Sequence, residues 1–195
     1  MNMHRMFWTG ISALTLLGTL AAGPVQANGQ PQTGEKHCYV LLGALRPGEL
    51  TSRMTVGSCY STYADMVFAA TKGAVRLPRD IRPDQVTPEM VQNGVLTKLS
   101  TDYVDVSYLG RSLTWWAEDA HGCSDGSAYA QSSMPVIDGF NWNNVISSSR
   151  LRSDGGCNSN LHFTSTSFTG TSVDCTCYWM GGSINNDTSS EKWAR

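Results

Sequence analysis

The amino-acid sequence predicts an all-β sandwich over its C-terminal half, preceded by a small α+β segment. Three observations carry that reading. Helical periodicity stops near Gly110, and short hydrophobic stretches (Leu113 to Trp116, Leu161 to Phe163, Cys175 to Met180) then alternate with glycine and asparagine turns. Serine, threonine, glycine and asparagine crowd this half, a composition suited to turns and short strands rather than helices. A polar hexapeptide also occurs twice, as NNVISS from Asn143 and as NNDTSS from Asn185. Such a recurrence marks two copies of one unit.

Residues 1–27 stand apart from the fold. His4 and Arg5 form a short positive head, Phe7 to Ala22 is an apolar run, and Val25-Gln26-Ala27 places small residues where a signal peptidase reads. The run is short for a membrane span and carries glycine and threonine. The expectation is a cleaved secretory signal, hence a secreted, extracellular protein with no membrane association after cleavage. All six cysteines (Cys38, Cys59, Cys123, Cys157, Cys175, Cys177) follow the cut, an even count that reads as three disulfides in an exported chain. Cys38 and Cys59 stand apart and are expected to pair. Cys175 and Cys177 alternate along an apparent strand, so each is expected to seek its own partner, with Cys123 and Cys157 as candidates. A formal charge of −2, with charged residues at 15%, offers no basic footprint for nucleic acid. The apolar fraction of 41% suffices for a packed core.

The mature N-terminal region, 28–109, reads as mixed α and β. Tyr39 to Leu42 suits a buried strand, and Pro47-Gly48 turns the chain. Tyr63, Met66, Val67 and Ala70 recur at helical spacing within Thr62 to Lys72, and Gly73 suits the residue just past a helix end. Thr87-Pro88 opens a short helix that ends at Asn93-Gly94. Val95 to Leu99 and Tyr103 to Leu109 alternate as strands do. A disulfide between Cys38 and Cys59 would tie the first strand to the approach of the first helix.

The two hexapeptides have company upstream. An aromatic residue is followed, after six residues, by glycine: Trp115 to Gly122 before the first and Phe163 to Gly170 before the second, with Leu113 and Leu161 two residues ahead of each aromatic. Trp142 and Ile184 directly precede the polar motifs. On these residues the segment 110–195 resembles a microbial βγ-crystallin domain, a sandwich of two tandem Greek-key motifs. The resemblance implies that the aromatic and the glycine fix a folded hairpin between the first two strands. It also implies that the polar loop before each last strand binds calcium. The ligands it implies are the carbonyl oxygens of Val145 and Asp187 and the hydroxyls of Ser147 and Ser189. Asn143, Asn144, Asn185 and Asn186 would shape the loops and add oxygens, and an oxygen from the opposite motif would complete each ion.

Elementary chemistry agrees with part of this. Calcium takes side-chain amide, hydroxyl and carbonyl oxygens, and only Asp187 is ionised within either hexapeptide, so affinities on the order of 10⁻⁴ to 10⁻³ M are expected. Asparagine and serine are also default turn residues, which leaves plain turns as the other reading. Adjacent Glu118 and Asp119 point apart and suit a solvated tip better than acid–base work. His121 and His162 lack the surroundings of a nucleophile elbow. Trp115, Trp116, Trp142 and Trp179 read as core and corner aromatics before they read as a sugar-stacking platform. The expected function is therefore non-enzymatic: a disulfide-stabilised, weakly calcium-binding protein. The alternative is a secreted peptidase inhibitor or killer toxin-like protein on the same fold. Such a protein would present Ser124 to Met134 to a secreted protease or another extracellular protein.

Overall fold

The computed structural model describes residues 34–91, 95–151 and 155–195. The expected signal over 1–27 and the Asn93-Gly94 helix end lie outside them. The apolar run after Cys38 becomes β1 (His37–Leu42), which pairs antiparallel with β2 (Met54–Tyr60). That register sets Cys38 opposite Cys59, and the two form the expected disulfide. The helix α1 (Tyr63–Ala70) starts where Thr62 Oγ1 accepts the amide of Asp65, and it buries Tyr63, Met66, Val67 and Ala70. Gly73, at φ +85°, donates its amide to the Phe68 carbonyl and ends the turn. The second helix, α2 (Pro88–Val91), is a single turn.

One strand and a turn replace the two strands expected between Val95 and Leu109. β3 (Thr97–Tyr103) is followed by a 3₁₀ turn over Val106–Tyr108 and then β4 (Ser112–Ala117). The alternation around Tyr103 to Leu109 breaks because Ser107 and Tyr108 are left-handed, at φ +61° and +63°. The same construction recurs in β9 (Ser159–Ser165), a 3₁₀ turn over Thr166–Phe168 with Ser167 and Phe168 at φ +57° and +61°, and β10 (Thr169–Asp174). Tyr103 packs against Tyr108 as Phe163 packs against Phe168. The matching glycines are Gly110 and Gly170, at φ +74° and +78°. The aromatic–glycine pair of the first copy is therefore Tyr103 and Gly110, which corrects the assignment to Trp115 and Gly122. Trp115 lies inside β4, and Gly122 instead sits against the backbone of Gly155.

The remaining strands are β5 (Tyr129–Gln131), β6 (Val136–Ile137), β7 (Phe140–Asn141), β8 (Ser148–Leu151) and β11 (Ser190–Ala194). They form a five-stranded sheet in the order β2-β1-β4-β3-β8, a four-stranded sheet β10-β9-β11-β5 and a small β6-β7 hairpin. In each motif the last strand returns beside the first, β8 on β3 and β11 on β9. The third segment crosses over: β5 leaves the β3–β4 sheet to pair with β11, and Cys177 leaves the β9–β10 sheet to pair with Ser149 of β8. Two Greek keys thus complete each other's sheets.

This moves the start of the double Greek key from Gly110 back to Thr97, since β3 is its first strand. The N-terminal strands extend the same sheet, with β1 parallel to β4, and the described residues belong to one compact unit. Leu113, Trp115, Trp142, Ile146, Ile184 and Trp193 fill the space between the sheets.

Cys123 pairs with Cys157, and Cys175 pairs with Cys177. The second pairing corrects the expectation of separate partners. Residues 175–177 are not a regular strand but the crossing itself, where Cys175 bonds to Asn160 in one sheet and Cys177 to Ser149 in the other. Among the described residues no helix is long and apolar enough to cross a membrane.

Candidate metal-binding loops and a buried polar centre

The two polar loops meet and clasp each other. Ser147 Oγ donates to Asn186 Oδ1 at 2.7 Å, and Ser189 Oγ donates to Asn144 Oδ1 at 2.9 Å. The backbone repeats the exchange: the Asn144 amide donates to the Thr188 carbonyl and the Asn186 amide to the Ile146 carbonyl. Both asparagines are left-handed, at φ +60° and +57°, a conformation asparagine tolerates better than most residues. The serines are anchored from behind, because the amides of Ser147 and Ser189 donate to the carbonyls of Tyr103 and Phe163. Ile146 and Ile184 are buried beneath the loops, while Asn144, Asn186 and Asp187 are exposed.

All eight residues expected from sequence thus lie in two adjoining loops. The geometry suits an oxygen-seeking cation. Each serine spends its proton on an asparagine and keeps its lone pairs, and among the described residues no hydrogen bond reaches the carbonyls of Val145 or Asp187. The corner turns obey the same symmetry. Ser148 Oγ and Ser190 Oγ donate to the Asp105 and Ser165 carbonyls and accept the amides of Tyr108 and Phe168. Twin corners, exchanged third strands and clasped polar loops decide the architecture. The C-terminal half is a βγ-crystallin-like domain.

No protein-family model and no curated protein matches the chain. Two solved structures do, a single-substitution and a double-substitution variant of a βγ-crystallin domain from Clostridium beijerinckii. Each is 20% identical at a TM-score of 0.35, over 50% and 51% of this chain and 100% of the other.

At the centre of the βγ-crystallin-like domain lies a polar group that the sequence reading missed. Asp102 on β3 faces Ser149 on β8, and His162 on β9 faces Glu191 on β11; all four are fully buried. The Asp102 carboxylate accepts from Trp115 Nε1 at one oxygen and from Ser149 Oγ at the other, and Asn160 Nδ2 donates to Ser149 Oγ at 3.0 Å. His162 Nδ1 lies 3.0 Å from Glu191 Oε1, close enough to pair but out of line for a hydrogen bond. Burial dominates the electrostatics. It raises the Asp102 carboxyl well above the usual range, with Glu191 adding to the effect; it pushes Glu191 up to about 8 and pulls the His162 imidazole down. The signal that could have found this centre was the repeat itself. Asp102 and His162 each precede the corner aromatic, and Ser149 and Glu191 each follow the serine pair or its counterpart.

Other sequence candidates are separated. Glu118 accepts from Thr55, whereas Asp119 accepts the amides of His121 and Gly122 and the hydroxyl of Tyr129. Trp115, Trp116 and Trp142 are buried, and Trp179 is half exposed. Of the stretch from Ser124 to Met134, residues 129–131 are a buried strand and Met134 is also buried, leaving its first residues at the surface.

Proposed function

We propose that the protein is a secreted, non-enzymatic, βγ-crystallin-like protein that binds calcium weakly through its two clasped loops. The observation carrying this reading is the reciprocal Ser147–Asn186 and Ser189–Asn144 pairing, with the Val145 and Asp187 carbonyls given no donor among the described residues. The signal-like leader and the even cysteine count support export. Bound calcium would supply a cross-link between the two motifs. The chain's part is to hold the oxygens in place: asparagine fixes the loop, serine orients its hydroxyl, the corner carbonyls anchor the serine amide, and Ile146 and Ile184 keep the base rigid.

Few anionic ligands imply weak sites, so calcium acts as a stabiliser at extracellular concentrations. Calorimetric titration of the chelator-treated, oxidised protein tests the reading. Saturable uptake near two ions per chain, with a higher melting temperature, is expected. Absence of both at about ten times the weak end of the extracellular range would reduce the loops to turn chemistry.

A further inference from the structure

We propose that Asp102, His162 and Glu191 form a closed structural site for one divalent transition-metal ion of the zinc class, between the two sheets. One ligand atom from each lies within 4.8 Å of the others, and all three side chains are fully buried. Zinc bonds of about 2.0–2.2 Å in a tetrahedron set ligand atoms roughly 3.3–3.5 Å apart, so the side chains need close in by about 1.5 Å at most.

Unpartnered atoms point the same way. Among the described residues neither ring nitrogen of His162 nor Asn160 Oδ1 has a hydrogen-bond partner, and the oxygens of Glu191 have beside them only the Asp102 carboxyl and the misaligned His162 ring. Buried polar atoms are rarely left so. Asn160 and His162 alternate along β9 and share its inward face, and both are fully buried, which makes Asn160 Oδ1 the candidate for a fourth ligand.

Charge and ligand type select the ion. Two carboxylates and a neutral imidazole carry two negative charges, which one divalent cation cancels in a dry core where either charge alone would be costly. Calcium wants six to eight oxygens; a mixed nitrogen and oxygen set of three or four suits zinc. The outer contacts are those that orient such ligands: Trp115 Nε1 and Ser149 Oγ hold Asp102, and Asn160 Nδ2 holds Ser149. Thiols do not compete, since all six cysteines are in disulfides. A site this enclosed fills during folding rather than after it.

The full mature chain, unfolded with its disulfides intact and refolded either with zinc or with a chelator, provides the test. Zinc-refolded protein is expected to keep one ion per chain through chelator dialysis and to melt higher than the chelator-refolded sample. Glu191→Gln and Asp102→Asn, each removing one anionic ligand at constant shape, should lose that ion, whereas Ser147→Ala/Ser189→Ala should keep it. No retained zinc in folded wild type, or undiminished zinc in Glu191→Gln, overturns the proposal and leaves a pair of protonated carboxyls in its place. Should the core variants not fold, cobalt-refolded wild type decides. Intense visible bands of a four-coordinate centre are expected, and a weak six-coordinate spectrum or none overturns it.

Discussion

Ser147 of the first motif and Asn186 of the second are joined by a 2.7 Å hydrogen bond across 39 residues of sequence, and Ser189 returns the bond to Asn144. Each loop is therefore part of the other's shape. Ser147→Ala is expected to weaken both proposed calcium sites together, with the double variant Ser147→Ala/Ser189→Ala abolishing uptake in calorimetry. Without calcium each change should cost only about 0.5–1.5 kcal/mol, because the exposed asparagine oxygen left behind finds water.

Gly110 and Gly170 should be less tolerant than the left-handed glycines that face open space. An added Cβ would collide with the Asp105 carboxylate at Gly110 and with Thr164 Oγ1 at Gly170, while Gly126 and Gly139, also at positive φ, have nothing within 4 Å. Gly126→Ala and Gly139→Ala carry backbone strain alone, about 1–2 kcal/mol. Gly110→Ala and Gly170→Ala are expected to lose clearly more in denaturant unfolding. Equal losses at all four positions would remove the corner assignment.

The disulfides should rank by the loops they close. Cys123–Cys157 spans 34 residues and Cys175–Cys177 only 2. Serine replacement of the first pair is expected to cost about 3–4 kcal/mol and of the second about 1–2 kcal/mol. Urea unfolding of the two paired variants checks the order.

His37 makes the fold sensitive to mild acid. It is buried, with Nδ1 2.8 Å from Ser112 Oγ and its ring edge-on to Tyr63, and burial lowers its pKa to about 4. From pH 6.5 downward the unfolded chain takes a proton that the native chain refuses, so this contribution is intact above pH 6.5 and drains away towards pH 4. A fall from 6.5 to about 4 is worth about 3 kcal/mol. The difference in unfolding free energy between wild type and His37→Asn should therefore shrink as the pH drops through that window.

The loops were legible because their residues are contiguous and repeated: NNVISS and NNDTSS lie where the resemblance placed them. The first corner was not. Tyr103 to Gly110 and Trp115 to Gly122 both fit an aromatic-x6-Gly spacing, and only the paired left-handed residues Ser107 and Tyr108 tell them apart. Cys175 and Cys177 misled for a related reason, since alternation implies a strand only where neighbours supply a ladder. The centre at Asp102, His162 and Glu191 escaped because its members lie on three strands in two sheets, and only their matched places in the two repeats, not the local patterning around each, mark them as partners. His162, taken singly, reads as a lone histidine; it acquires meaning opposite Glu191.

The exchange of β5 and the Cys175–Cys177 crossing bears on what half of this protein would be. Neither motif owns a whole sheet: one lends a segment to β11 and borrows one at β8. A lone motif would have a last strand with an empty place beside it and a third strand with nothing to lie against. Its way to satisfy both is to find its twin. The domain is in effect a swapped dimer written on a single thread, and either half expressed alone should seek a second copy before it becomes compact.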